Sequence, residues 1–379
     1  MKNCGIIYNS VLHACRIFGF VAIFVSCSVS SSDLPTVDLS NLEREELSID
    51  GHDLYSNVEK IEIETSDSCL LKGPSLLSFD DGDVFLLGVD YVKRFNRSGK
   101  YKCDIGRFGH GYGEYTFISS ADYCRSRQMV FVGTFANDVY KYDIDGKYLG
   151  KFSVSDGEER LMTSGWSESL GLYVCETRHY RPDGIDVLLS TWTVDGKKVA
   201  SFPVYTDNKT TENNFTHTGS MRDTDDGMLF MLPFSNTVWL LSKKGLAESF
   251  VIERGRHTPS RELVEDNANS AKLEKQCYEI RKWLVTPSYI YLNIGCTGGY
   301  RDVMVRRSDK ATVYNRFYSY REEVAGKKRI HLKELGCTSF WPRQVWRNQV
   351  ACLVANENVE SNPVLVIATE KTLKNDGAK

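Results

Sequence analysis

Two acidic phrases, Asp143-Ile-Asp-Gly146 and Asp223-Thr-Asp-Asp-Gly227, carry the residue types that hold calcium in a loop. An EF-hand-like loop also needs a carboxylate at its twelfth position, and counting from Asp143 and Asp223 reaches Val154 and Phe234. Both phrases therefore read as hairpin turns. The glycine-rich run Asp104-Ile-Gly-Arg-Phe-Gly-His-Gly-Tyr-Gly-Glu-Tyr115 could offer backbone N–H groups to an anion. A nucleotide fingerprint would continue into a helix, and a P-loop into Gly-Lys-Ser/Thr; here Tyr115-Thr-Phe-Ile opens a strand. The run reads as a structural turn in which Glu114 accepts hydrogen bonds from the loop backbone. Thr163-Ser-Gly-Trp-Ser lacks the second glycine of a nucleophile elbow. His52, His110, His179, His217, His257 and His331 are scattered without paired spacing, and the cysteines show neither C-x-x-C nor a zinc pattern. No cofactor and no metal is implied.

The elements that must position any site begin after residue 27. The chain has 379 residues, with 47 basic and 50 acidic side chains and 12% aromatics. This is a globular composition, and its balanced charge argues against a protein built to neutralise nucleic acid. Lys2 and Arg16 precede an apolar stretch, Ile17–Val25, of nine residues. That is too short to span a bilayer and fits the apolar region of a signal peptide. Phe24-Val-Ser-Cys27 follows and resembles the bacterial lipobox, which implies a signal peptide over 1–26 and acylation of Cys27. Residues 27–46 then read as a tether, beginning with the polar Ser28–Ser32. Only Asp33 is acidic near the anchor, which favours a periplasm-facing lipoprotein over surface display. Eight cysteines remain beyond it, several inside apolar runs such as Val350-Ala-Cys-Leu-Val354. Buried free thiols suit them better than disulfides.

A repeat organises residues 47–370. Turn glycines stand at 99, 146, 196 and 245, in steps of 47, 50 and 49, each between two β-rich runs. That is a hairpin signature. A second pair of short strands lies upstream of each hairpin, as in Val84-Phe-Leu-Leu and Met228-Leu-Phe-Met-Leu. Four short strands per repeat of about 48 residues predict a β-propeller. Six blades are expected, over 69–105, 115–154, 163–205, 219–253, 282–319 and 339–368. The sixth lacks a strand, and Val58-Glu-Lys-Ile-Glu-Ile-Glu64 is expected to supply it and close the ring. Residues 258–281 read as a helical insertion and 371–379 as a tail.

With the lipobox and the blade repeat, the glycine-rich junction resembles that of the six-bladed β-propeller lipoproteins of anaerobic gut bacteria. Those carry a similar phrase ending Gly-Pro-Gly-Glu-Tyr, followed by an Asp-Gly-Lys hairpin. Gly106, Gly109, Gly111, Gly113, Glu114 and Tyr115 match, Tyr112 replaces the proline, and Asp145-Gly-Lys147 follows. The resemblance covers residues 47–370 and implies an all-β propeller. It is nearly silent on activity, beyond a likeness to NHL-like propellers, which mostly bind partners.

In such a ring, the loops between second and third strands share a face with the blade-to-blade connections. They place Tyr91, Asn137, Arg178, Tyr180, Arg181, Asn236, Tyr300 and Arg301 on that face, and the connection before the sixth blade adds Trp341. Tyr, Arg, Asn and Trp are types that make binding surfaces. The resulting expectation is a monomeric, lipid-anchored binding module whose loop face engages an envelope protein, a peptide or a glycan fragment. The competing class is a metal-assisted hydrolase or lyase acting at the channel mouth.

Overall fold

The computed structural model describes residues 34–44, 46–155, 159–181, 184–207, 219–232, 235–260, 263, 276–321, 330–335, 339–356, 358 and 360–372. The signal peptide, Cys27, His217 and Cys337 lie outside the described residues. No helix among the described residues is long and apolar enough to cross a membrane.

Six four-stranded antiparallel sheets account for most of the chain from residue 55 onward. Ahead of them come β1 (Thr36–Asp38), a single turn of helix α1 (Gly51–Leu54) and β2 (Tyr55–Glu62). Blade one is β3 (Ser75–Phe79), β4 (Asp83–Leu87), β5 (Val92–Asn96) and β6 (Tyr101–Asp104). Blade two is β7 (Ile118–Cys124), β8 (Met129–Thr134), β9 (Asp138–Asp143) and β10 (Tyr148–Ser153). Blade three, the longest-stranded, is β11 (Glu159–Ser167), β12 (Leu172–Arg181), β13 (Gly184–Trp192) and β14 (Lys198–Asp207). Blade four is β15 (Ser220–Thr224), β16 (Gly227–Met231), β17 (Thr237–Ser242) and β18 (Gly245–Glu253). Blade five is β19 (Glu279–Val285), β20 (Tyr289–Cys296), β21 (Gly299–Arg306) and β22 (Thr312–Ser319). A two-residue pair, β23 (Ile330–His331) with β24 (Ser339–Phe340), precedes the last blade: β25 (Gln344–Trp346), β26 (Gln349–Val354) and β27 (Val364–Glu370).

That last blade is completed by β2, which runs antiparallel to β27 from Tyr55↔Glu370 to Glu62↔Val364. The ring is therefore closed by a strand from the other end of the chain, as the alternation over residues 58–64 predicts. Second strands such as β16 and β20 are buried along their whole length. A blade inside the ring has neighbours on both faces, so its middle strands lose the apolar–polar alternation. The core accordingly lies between blades. Phe85 meets Tyr123 with ring centroids 4.4 Å apart, and Phe131 stacks on Trp166 at 5.4 Å.

The repeated hairpins share one turn chemistry. Gly99, Gly146 and Gly196 adopt φ of +82°, +83° and +83°. Each donates its N–H to the carbonyl three residues back, of Asn96, Asp143 and Thr193 at 2.9, 3.0 and 2.9 Å. The side chains of those residues accept from the backbone across the turn, as Asn96 Oδ1 does from Lys100 N and Asp143 Oδ1 from Lys147 N, both at 2.9 Å. Asp143 thus spends its carboxylate on the turn, in keeping with the hairpin reading.

Two features extend or amend the sequence reading. Within the stretch expected as tether, β1 adds a fifth, parallel strand outside β18 of blade four. Val37 and Leu39 are fully buried there, and Leu42 O accepts from Arg301 at 3.0 Å and Asn315 at 2.7 Å. Glu43 then pairs with His257 at 3.0 Å and also with Arg256. The expected helical insertion falls largely outside the described residues, and its final residues, 279–281, open β19 instead. Cys69, Cys103, Cys124, Cys175, Cys277, Cys296 and Cys352 are free thiols, all but Cys103 buried.

Candidate functional site

The structure sorts the nine expected loop-face residues by burial. Arg178, Arg301 and Trp341 are only 0%, 8% and 3% exposed, which corrects the expectation that they offer side chains to a ligand. Arg178 is paired at 3.0 Å with Glu176, its neighbour on the same face of β12. Arg301 is consumed by Leu42 O and by Asn315 Oδ1 at 2.9 Å. Trp341 packs edge-on against Tyr291. Asn236 accepts from Arg254, and Asn137 binds Glu159 O at 3.0 Å and Leu161 N at 2.7 Å, strapping blade two to blade three. Tyr91, Tyr180, Arg181 and Tyr300 remain partly exposed. Tyr91 donates to Lys72 O, Arg181 pairs with Asp186 at 3.0 Å, and Arg281 reaches the Tyr300 hydroxyl at 3.2 Å. Their loops belong to different blades.

What the loop face does gather is a set of aromatics that the sequence reading passed over. Phe117, on the connection from blade one to blade two, is 67% exposed, and Phe135, on the loop between β8 and β9, is 62% exposed. Phe135 N donates to Phe117 O at 3.2 Å, and the Phe117 ring meets Phe108, itself 44% exposed, at 5.7 Å. Tyr112 stands 95% exposed on the same connection and Val89 81% exposed on the loop between β4 and β5.

The glycine-rich junction is the mount for this patch. Glu114 Oε2 accepts from Gly111 N at 2.8 Å, the role expected of it. A Cβ at Gly109 would sit 2.1 Å from that carboxylate oxygen, so a larger residue there would push the Glu114 carboxylate aside. Tyr115 is buried and takes Val92 N on its hydroxyl at 3.2 Å, while Tyr142 donates to Gly113 O at 2.9 Å. The loop is anchored on two buried tyrosines and turns its remaining aromatics outward.

Apart from this exposed patch, the ring has a central channel, about 590 Å³ in volume, lined by the inner strands and by the turns that follow them. None of the nine expected residues lines it. First strands are sheet edges with unpaired backbone groups, and side chains of adjacent blades satisfy them. Asp122 of β7 accepts Trp166 N of blade three at 2.8 Å, and Asp223 of β15 accepts Glu168 N at 3.1 Å and Ser167 Oγ at 2.7 Å. Asp223, read from sequence as part of a turn, is thus a channel residue. Ser164, from the incomplete elbow motif, sits between Ser120 Oγ and Tyr173 OH, 2.5 Å from each. Among the described residues no three His, Cys, Asp or Glu side chains are grouped to hold a metal ion.

A family described as a domain of unknown function, DUF4934, matches residues 34–369. The chain belongs to this family. No curated protein matches it. Among solved structures, a Bacteroides fragilis protein described as exported is similar over 89% of this chain and all of its own, with 14% identity and a TM-score of 0.66. That likeness shows the propeller fold. The RRP9 WD40 repeats (8% identity, 86% of this chain and all of theirs, TM-score 0.49) and U3-55K (11%, 79% and 77%, TM-score 0.45) also align.

In the DUF4934 domain, burial pushes the carboxyls of Asp122 and Asp223 up to about 6, against the hydrogen bonds they accept. A carboxyl whose folded value is raised binds its proton more tightly folded than unfolded, so its contribution to stability is lost as pH rises through about 6. The melting temperature is expected to rise as pH falls from about 7.5 to about 5, and Asp122→Asn to flatten that dependence. Thermal melts across that range check both.

Proposed function

We propose that this chain is an exported, lipid-anchored envelope protein whose propeller acts as a non-catalytic binding module, docking a protein or peptide segment on the Phe108–Phe117–Phe135 patch. The observation that carries this reading is the contact of the exposed Phe108 and Phe117 rings on a braced loop, with exposed Phe135 of the neighbouring loop held to Phe117 by a backbone hydrogen bond. Solvent-facing aromatics that touch one another form an apolar surface that water penalises until a partner covers it. Aromatics also dominate binding energy at interfaces. The address is supported by the signal-like segment ending at Cys27 and by the exported description of the B. fragilis protein.

Two experiments test the reading. Metabolic labelling with an alkynyl fatty acid is expected to mark the wild-type chain, and Cys27→Ser to abolish both the label and retention in the membrane fraction. A photo-cross-linking phenylalanine analogue at position 117 is expected to give a discrete adduct in intact cells. The same group at Arg127, exposed on the turn between β7 and β8 at the other end of these strands, is expected to give none. Equal yields at both positions would refute the docking site.

A further inference from the structure

Arg222, on β15, lines the channel, and among the described residues no carboxylate lies within ion-pair distance of it, although the charge of Asp122 still acts on it. Its Nε donates to Trp283 O at 2.7 Å and its Nη1 to Met221 O at 2.6 Å. Two more channel arginines are held likewise by hydroxyl and carbonyl oxygens. Arg125 Nη2 donates to Ser78 Oγ at 2.5 Å and Phe79 O at 3.2 Å, and Arg307 Nη1 to Thr286 O at 2.8 Å. The carboxylates of the same channel are held by N–H and O–H donors, Asp122 by Trp166 and Tyr123, Asp223 by Glu168 and Ser167, and Glu168 by Arg125 N at 2.5 Å. These three guanidiniums and three carboxylates share one channel with Arg347, Asp225 and Asp226, and among the described residues no ion pair joins any of these groups to another; Arg347 pairs instead with Asp81 at 3.0 Å.

Opposite charges free to move in a low-dielectric site would pair. Here the backbone edges hold them apart, and each keeps unused capacity: a carboxylate has about four acceptor sites and a guanidinium five donors. Burial lowers Arg222 to about 10 and raises Asp122 and Asp223, outweighing the attraction of Asp122 for Arg222 and of Arg125 for the two carboxyls. The channel's volume falls within the range of small-molecule sites.

We propose that the channel binds a small zwitterion, a free amino acid or a short peptide, its carboxylate received by Arg222 and its ammonium by Asp122 and Asp223. This site shares no residue with the aromatic patch and stands or falls separately from it.

Thermal melts of the purified full chain with alanine, alanyl-alanine and acetyl-alanyl-alanine amide test it. At least one of the two zwitterions is expected to raise the melting temperature with a saturable concentration dependence, and the doubly blocked peptide to leave it unchanged. A shift with alanine alone assigns the site to free amino acids, and one with alanyl-alanine alone assigns it to peptides. In calorimetric titration Arg222→Met is expected to weaken binding of the active zwitterion by at least about tenfold, as is Asp223→Asn. Should either variant fail to fold, the free-against-blocked comparison on the wild-type chain decides alone. No shift with either zwitterion up to about 10 mM, or an equal shift with the blocked peptide, overturns the proposal.

Discussion

A chain truncated to begin at Ile63 is expected to lose its cooperative thermal transition, because it removes the strand that closes the ring. Without β2, the outer edge of β27 loses its partner from Val364 to Glu370. Leu365, Val366 and Ile367, fully buried in the intact chain, would border an open edge, the kind that templates aggregation. The truncation also removes Tyr55, whose hydroxyl lies 3.0 Å from that of Tyr291, which in turn donates to Glu370 at 2.7 Å. That buried relay joins the closing strand, blade five and the end of β27. The milder variant Tyr55→Ala keeps the strand but empties a fully buried aromatic site. It is expected to cost about 3–5 kcal/mol, a fall in Tm on the order of 10 °C for a domain of this size. Calorimetry on both chains checks the pair, and a truncated chain that melts like the wild type would show that ring closure does not hold the fold.

Gly146→Val is the second change with a large expected effect. The residue has φ +83°, and a Cβ there would lie 2.2 Å from Asp104 O, a backbone atom at the end of blade one. A β-branched residue is strained at that φ, and the clash is with main chain that cannot rotate away. The expected loss is about 3 kcal/mol or more. Gly171 separates the two causes: it has φ +67° but nothing within 4 Å of its missing Cβ. Gly171→Ala should therefore cost only about 1 kcal/mol, the backbone part. Denaturant unfolding of both variants measures the difference, and equal losses would show that the turn does not brace the neighbouring blade. Gly99 repeats the arrangement, its Cβ position lying 2.1 Å from Glu62 O of the closing strand.

These turns explain why the ring was legible in the sequence. A hairpin glycine with positive φ, preceded by Asn, Asp or Thr at a fixed offset, is local chemistry, and it recurs in blades one, two and three. The strand at 58–64 was legible for the same reason, since its alternation is local. The strap β1 was not: three residues with one buried side chain carry no periodicity, and what holds them is a parallel edge some two hundred residues away in sequence. The site was half legible. Residue type proposed Arg178 and Arg301 as ligand-facing, but type does not report burial. Glu176, two residues before Arg178 and therefore on the same face of the strand, was the available signal for its pairing. For Arg301 the partners come from the strap and from β22, and no local pattern shows them. Phe117 and Phe135 were hidden by their surroundings: Tyr115-Thr-Phe-Ile reads as the start of a strand, whereas β7 begins only at Ile118. The channel charges were missed because inner-strand residues converge from six separate repeats.

The docking reading is tested most directly by separating binding from folding. With the photo-cross-linking analogue placed at the exposed Tyr112, on the connection that carries Phe108 and Phe117, the otherwise unaltered chain is expected to form its adduct in cells. In the Phe117→Ser/Phe135→Ser double variant the adduct should vanish while the melting temperature stays within about 2 °C, since exposed side chains contribute little to stability. An adduct that persists undiminished in the double variant would contradict the account.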